Sequence, residues 1–249
     1  MLKKPIIEVK DLKVSYSERT ILENVNFEIY SGEIFVIVGG SGCGKSTLLR
    51  QLIGIEQPYS GSIIIDGEDL TNANPKKRTE IMKKYGVLFQ SSGLIASMSI
   101  AENIALVLES IKDLTDETIY DIIKIKLNSV GLDGFQDFLP AEISGGMKKR
   151  AALARAMTLD PKILCFDEPS SGLDPTTAAA LDNLIKEINR SFKTTMIVVT
   201  HDLASILNIS DRIIMLDKSI RGIIASGTPD ELKNNNSNQI VHNFFNRIG

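Results

Sequence analysis

The apolar run Ile34-Phe-Val-Ile-Val38 passes without a break into Gly39-Gly-Ser-Gly-Cys-Gly44-Lys45-Ser46. A continuous apolar run of this length fits a strand buried on both faces, as in a parallel sheet. Leu48, Leu49, Leu52 and Ile53 then recur at helical spacing, and Gly54 stops the helix. Strand, glycine-rich loop and helix form the setting in which G-x-x-x-x-G-K-[ST] cradles phosphate. Glycines let the backbone curl so that successive N–H groups point inward at phosphate oxygens. The helix that starts near Lys45 aims its positive end at the same charge. Lys45 reaches the β- and γ-phosphates, and the Ser46 hydroxyl suits Mg²⁺, a hard cation that prefers oxygen. The candidate phosphate-binding residues are Gly39, Gly40, Ser41, Gly42, Cys43, Gly44, Lys45, Ser46 and Thr47.

Composition narrows the class. The chain has 249 residues, enough for one or two domains with a sizeable core. Its net charge of −3 argues against a protein that grips nucleic acid by charge, so no nucleic-acid partner is expected. The longest apolar runs fall far short of the ~18 residues of a spanning helix. Lys3, Lys4, Pro5 and Glu8 break up the N-terminus, so no signal-peptide core is read there. Cys43 and Cys165 match neither a disulfide framework nor a zinc site, and a reducing cytosol is the default.

The first third reads as short strands (Ile6–Val9, Val25–Ile29, Ser62–Ile65) broken by turns. The section 93–156 reads as mainly helical. Within it Thr115 is an N-cap, Asp116 and Glu117 suit the helix dipole, and Ile119, Ile122, Ile123, Leu127 and Val130 form one face ended by Gly131. Lys162–Phe166 and Met196–Thr200 are buried-strand candidates. Asp174-Pro175 between them caps a helix with the face Leu181, Leu184, Ile185 and Ile188. This alternation implies an α/β fold with a mostly parallel sheet. Asn234–Asn238 is a polar linker. After it, Val241, Phe244, Phe245 and Ile248 form a small apolar face, expected to dock on another chain or, equally, to pack on the chain's own core.

Ile163-Leu-Cys-Phe-Asp167-Glu168 places two carboxylates at the carboxyl end of a buried strand, where open α/β sheets bind ligands. Asp167 can hold Mg²⁺ directly or through water, and Glu168 can polarise a water that attacks the γ-phosphate. With Lys45, these carboxylates and Ser144-Gly145-Gly146-Met147, the chain resembles the ABC-type ATPases, whose signature sequence lies shortly before the acidic strand. The resemblance runs over essentially the whole chain. Tyr16 falls at the adenine-stacking aromatic, Gln90 at the Q-loop glutamine, Ser171-Gly-Leu-Asp174 at the D-loop and His201 at the switch histidine.

The resemblance implies an ABC-type P-loop NTPase with a RecA-like core, an antiparallel β subdomain and a helical subdomain. The whole chain is read as one ABC ATPase domain, with its core in 1–92 and 157–228, the helical part at about 93–156 and an extension over 229–249. ATP and Mg²⁺ are the implied ligands, with Ser46, Gln90 and Asp167 toward the metal. Glu168 and His201 are the implied catalytic pair. Ser144, Gly145 and Gly146 open an Ala- and Arg-rich helix, whose N-terminus suits the γ-phosphate held by a second subunit. Two copies would then form a head-to-tail homodimer, with Asp174 coupling the sites. Met147 stands where the family signature usually has Gln, and Ile143 where it has Leu. Cys43 in the loop invites two readings: a thiol activated by Lys45, or a small residue the loop tolerates.

Ser144-Gly-Gly-Met-Lys-Lys-Arg and the segment from Leu88 to Ile104 narrow the resemblance to the ATPases of Mce-type lipid transporters, the maintenance-of-lipid-asymmetry (Mla) systems. Gly227–Leu232 and Phe244-Phe245 suit the same subfamily. It implies phospholipid transport between inner and outer membranes and a peripheral place on the cytoplasmic face of the inner membrane. The implied partners are an integral membrane permease, a periplasmic Mce-domain subunit and, in some members, a STAS-domain regulator. The alternatives are the ATPase of another ABC importer or exporter, for lipoprotein release or amino-acid uptake, and a non-transport ABC ATPase.

Overall fold

A computed structural model describes residues 4–109, 111 and 113–247. Ile248, one member of the terminal apolar face, lies outside the described residues. The chain opens with two long antiparallel strands, β1 (Pro5–Tyr16) and β2 (Arg19–Tyr30), joined by a two-residue turn. Next come β3 (Ile34–Gly39) and α1 (Lys45–Leu52), then β4 (Ser60–Ile65) and the short β5 (Glu68–Asp69). α2 (Pro75–Met82) and β6 (Tyr85–Leu88) lead into three helices, α3 (Ile100–Leu108), α4 (Asp116–Ser129) and α5 (Gly145–Ala156). The last third runs β7 (Ile163–Asp167), α6 (Pro175–Phe192), β8 (Thr195–Val199), α7 (Leu203–Ile209), β9 (Arg212–Asp217) and β10 (Gly222–Gly227). Two short helices, α8 (Pro229–Lys233) and α9 (Gln239–Asn246), follow.

The strands form two sheets. One has the order β2-β1-β4-β5 and is antiparallel. The other has the order β10-β9-β3-β8-β7-β6, parallel except for β10. The central strands divide their side chains between two cores, because successive residues of a strand point to opposite faces. Val36 and Val38 of β3, Leu164 and Phe166 of β7, and Met196 and Val198 of β8 pack with α3–α6. Phe35 and Ile37, Ile163 and Cys165, and Ile197 and Val199 pack with α1 and the antiparallel sheet. Both faces are covered, which is why these strands read as unbroken apolar runs rather than alternating ones.

The helix starts are encoded locally. The side chains of Ser99, Thr115, Ser144, Asp174 and Thr228 each accept a backbone N–H in the first turn of the helix they precede. Asn103, fully buried, accepts from Ile95 N and donates to the carbonyls of Ile95, Met98 and Ser99, which fixes the loop between Gln90 and α3. Among the described residues no helix is long and apolar enough to cross a membrane.

The terminal face packs on the chain's own core. Val241 and Phe245 are buried in the cluster formed by the parallel sheet and the helices on its α3–α7 face, and Phe244 packs against the same cluster. Asn238 caps α9, and Asn246 ties it back to the Lys233 carbonyl. The expectation that this face docks on another chain is therefore corrected, because its two largest buried groups are already used within the fold.

Candidate functional site

Gly39 ends β3, and the loop from Gly40 to Gly44 bends over the carboxyl edge of the parallel sheet. A side chain at Gly39 would place its Cβ 2.3 Å from the Leu216 carbonyl and 2.7 Å from Cys43 Sγ. Gly42 and Gly44 have φ of 73° and 103°, where a side chain would be strained. The loop is thus a cradle that only glycine can line at these points. Lys45 Nζ donates to the carbonyls of Gly39 (2.9 Å) and Gly40 (3.0 Å), so its ammonium lies across the loop. Cys43 is buried in the core beneath. Burial pushes its thiol pKa up, against a smaller opposing pull from Lys45. Burial of the thiol favours the small tolerated residue over the activated thiol at Cys43.

Four further groups converge on this edge because their strands end there. Asp167, at the end of β7, accepts from Ser46 Oγ at 3.2 Å. Burial raises its pKa above the usual carboxylate range, partly offset by that hydrogen bond. Glu168 follows with φ of 49°, a left-handed backbone held by its N–H to the Val199 carbonyl at 2.8 Å. Strain of this kind costs about 1–3 kcal/mol and collects at working sites. His201, just past β8, places Nδ1 2.8 Å from Glu168 Oε1. Gln90, two residues past β6, donates to Ser171 Oγ at 3.2 Å and lines one concavity with Asp167 and Ser171. Ser46 Oγ and Asp167, with the side-chain oxygen of Gln90 from the same concavity, could supply oxygen donors of the kind Mg²⁺ takes, the rest of its shell being water and phosphate.

Tyr16 ends β1, half-exposed beside Thr47, and its hydroxyl donates to the Glu56 carboxylate. Burial, then Glu56, raises its pKa. Thr47 itself lies in the first turn of α1.

Ser144, Gly145 and Gly146 lie apart from the loop. Ser144 Oγ accepts from Met147 N at 3.2 Å, and a Cβ at Gly146 would lie 2.4 Å from Thr177 Cγ2. The signature is therefore seated against the start of α6, and among the described residues no hydrogen bond links it to the P-loop. Met147 is half-buried against the helical core, which accounts for an apolar residue at that position. Asp174 spends its carboxylate inside the chain. It accepts from Thr176 N, Thr177 N and Thr177 Oγ1, and these bonds hold its pKa below the usual range.

Two residues of this region carry no legible signal in the sequence. Lys149 bonds the Gln90 carbonyl and Arg155 those of Ser92 and Gly93, whereas the sequence shows only a helix rich in Ala and basic residues.

A strand-borne P-loop, an acidic strand end and a histidine beside the second carboxylate define a nucleotide-hydrolysing P-loop ATPase. The chain matches the ABC transporter family over residues 22–171, and it belongs to that family. It is 38% identical to the Haemophilus influenzae intermembrane phospholipid transport system ATP-binding protein MlaF, over 95% of this chain and 89% of that protein. It is also 42% identical to a probable ribonucleotide transport ATP-binding protein, mkl, of Mycobacterium leprae, over 98% of this chain and 70% of that protein. A dimeric structure of the ATP-binding cassette MJ0796 in a post-hydrolysis state bound to ADP and Pi superposes with a TM-score of 0.81 at 29% identity. That match covers 89% of this chain and 98% of the cassette. The chain is an ABC ATPase that binds and hydrolyses nucleotide, and within its family it is MlaF-like.

Proposed function

We propose that this ATPase drives phospholipid transport between two membranes of the cell, as the catalytic subunit of an Mla/Mce-type complex. The observation that carries the cargo is the similarity to MlaF over nearly the whole of both chains. Ser144-Gly-Gly-Met147 and the Leu88–Ile104 segment support the same reading. In the complex the chain sits peripherally on the cytoplasmic face of the inner membrane. It pairs with a second copy and with an integral permease, and through the permease with a periplasmic Mce-domain subunit and, where present, a STAS-domain regulator.

ATP lies on the loop Gly39–Thr47, with its phosphates against the loop amides and Lys45 and its base on Tyr16. Ser46, Asp167 and Gln90 would hold Mg²⁺, which neutralises charge on the phosphates. Glu168 Oε1 orients and deprotonates the attacking water, and His201 keeps Glu168 in place and faces the γ-phosphate. Catalysis is positioning plus charge neutralisation. Ser144 and the Gly145 and Gly146 amides, the first of a helix and so without intrahelical acceptors, complete the site of the second copy. Asp174 connects the two sites through the start of α6.

The mkl relative favours a second reading, in which the cargo is not a phospholipid. Purification of the complex from membranes, with mass spectrometry of its subunits and extracted lipids, separates the two. A permease, an Mce-domain chain and bound phospholipid support the proposal. A permease with a different binding subunit and no enriched lipid refutes it.

A further inference from the structure

Two cations of α5, Lys149 buried and Arg155 half-buried, reach one short stretch of main chain. Lys149 is only 5% exposed, and its Nζ donates to the Gln90 carbonyl at 2.5 Å. Six residues on, Arg155 donates from Nη1 to the Gly93 carbonyl at 2.6 Å and from Nη2 to the Ser92 carbonyl at 3.1 Å. Ser92 and Gly93 are both left-handed, with φ of 65° and 62°, a backbone turn that presents both carbonyls to one guanidinium. Hydrogen bonds from ionised donors are roughly twice as strong as neutral ones, and more so away from water. The Gln90 loop is therefore fastened to α5 at three carbonyls.

The position of Lys149 gives this fastening a direction. Its own helix begins at Gly145 and is capped by Ser144, so the residue lies little more than one turn from the signature. Its bonding partner is the main chain of Gln90, whose side chain lines the concavity with Asp167. Asp167 and Glu168 act on it electrostatically, in opposition to burial, which lowers its pKa.

We infer that Lys149 is a positioning residue: it ties the Gln90 main chain to the signature helix, so that Gln90 in this chain's site and Ser144 in the partner's site move as one body. The inference rests on the proposed two-chain ATP site. It gives each subunit a rigid link between the site it builds with its own P-loop and the site it completes for its partner.

The test is a double-substitution cycle in the full chain, as purified in its complex, with Lys149→Met, Lys149→Arg, Gln90→Ala and Lys149→Met/Gln90→Ala. ATP affinity, kcat, and the Mg²⁺ concentration for half-maximal activity are measured. Lys149→Met should keep ATP affinity within about twofold and lower kcat about tenfold or more, while Lys149→Arg recovers most of the loss. In the Gln90→Ala background the further loss from Lys149→Met should fall to about twofold, because both changes act through one group. Additive losses, or an unchanged kcat in Lys149→Met, overturn the inference. If Lys149→Met does not fold, Lys149→Gln takes its place in the same cycle. A native complex that neither binds nor hydrolyses ATP refutes the underlying reading, whereas native turnover with no effect at Lys149 refutes only the link.

Discussion

Glu168 Oε1 and His201 Nδ1 lie 2.8 Å apart at the ends of neighbouring strands, with the carboxylate largely enclosed and the imidazole 70% exposed. The enclosed carboxylate is held by main-chain geometry on one side and by an exposed ring on the other. Glu168→Gln should therefore keep ATP binding while lowering turnover about 10²–10⁴-fold, the range for loss of a positioned base. His201→Ala should lower turnover without loss of ATP affinity. Steady-state phosphate release beside equilibrium nucleotide binding checks both, and normal turnover in Glu168→Gln removes it as the base.

Lys45 has two loop carbonyls as its partners. On the proposed reading its ammonium turns to phosphate oxygens when ATP binds, a charge-assisted contact. Lys45→Ala should weaken ATP binding about 10–100-fold, from the roughly 1.5–3 kcal/mol of such a bond. Titration calorimetry measures it, and an unchanged affinity would count against the loop as the phosphate site.

Cys43 and Cys165 are buried, and burial raises both thiol pKa values. A raised thiol pKa means little thiolate at neutral pH, and enclosure adds steric protection. Neither cysteine should react with Ellman's reagent at pH 8 in the native chain on a timescale of minutes, and both should react in concentrated guanidinium. Rapid native labelling of Cys43 would restore the activated-thiol reading.

Phe245 and Val241 belong to the main core rather than to a free surface. Phe245→Ala should cost about 3–5 kcal/mol of stability, the usual range for a buried aromatic. Truncation after Asn238 removes both groups and should also lower the melting temperature. Melting curves that coincide with that of the full chain would show α9 to be dispensable to the fold.

The parallel core was legible because burial on both faces erases alternation, so β3, β7 and β8 stood out as apolar runs. The caps at Thr115 and Asp174 were legible because their effect is local. β1 and β2 were read only in part. Each runs for 12 residues through several register shifts, and their exposed polar positions break the pattern. β6 has no clear sequence signal, because Tyr85–Leu88 is short and gains its stability from pairing with β7. In the site, motif positions carried over to Lys45, Asp167, Glu168 and His201, which the fold brings to one edge. Lys149 could not be found that way, since its partner is a carbonyl, and every residue offers one. The packing of α9 was undecidable for a similar reason, because an amphipathic face does not state what covers it.

On the proposed reading one chain supplies only half of each ATP site. Sedimentation velocity on the full chain carrying Glu168→Gln, with and without MgATP, tests it most directly when repeated with Ser144→Arg in the same background. Ser144 is exposed at the start of α5, so the larger side chain challenges the interface and leaves the buried core packed. The lost cap bond from Met147 N costs about 1 kcal/mol, which a melting curve of the variant measures separately. The expected result is a dimer only with MgATP, and a monomer under both conditions once Ser144→Arg is present. A chain that stays monomeric with MgATP, or a Ser144→Arg variant that still dimerises, would contradict it.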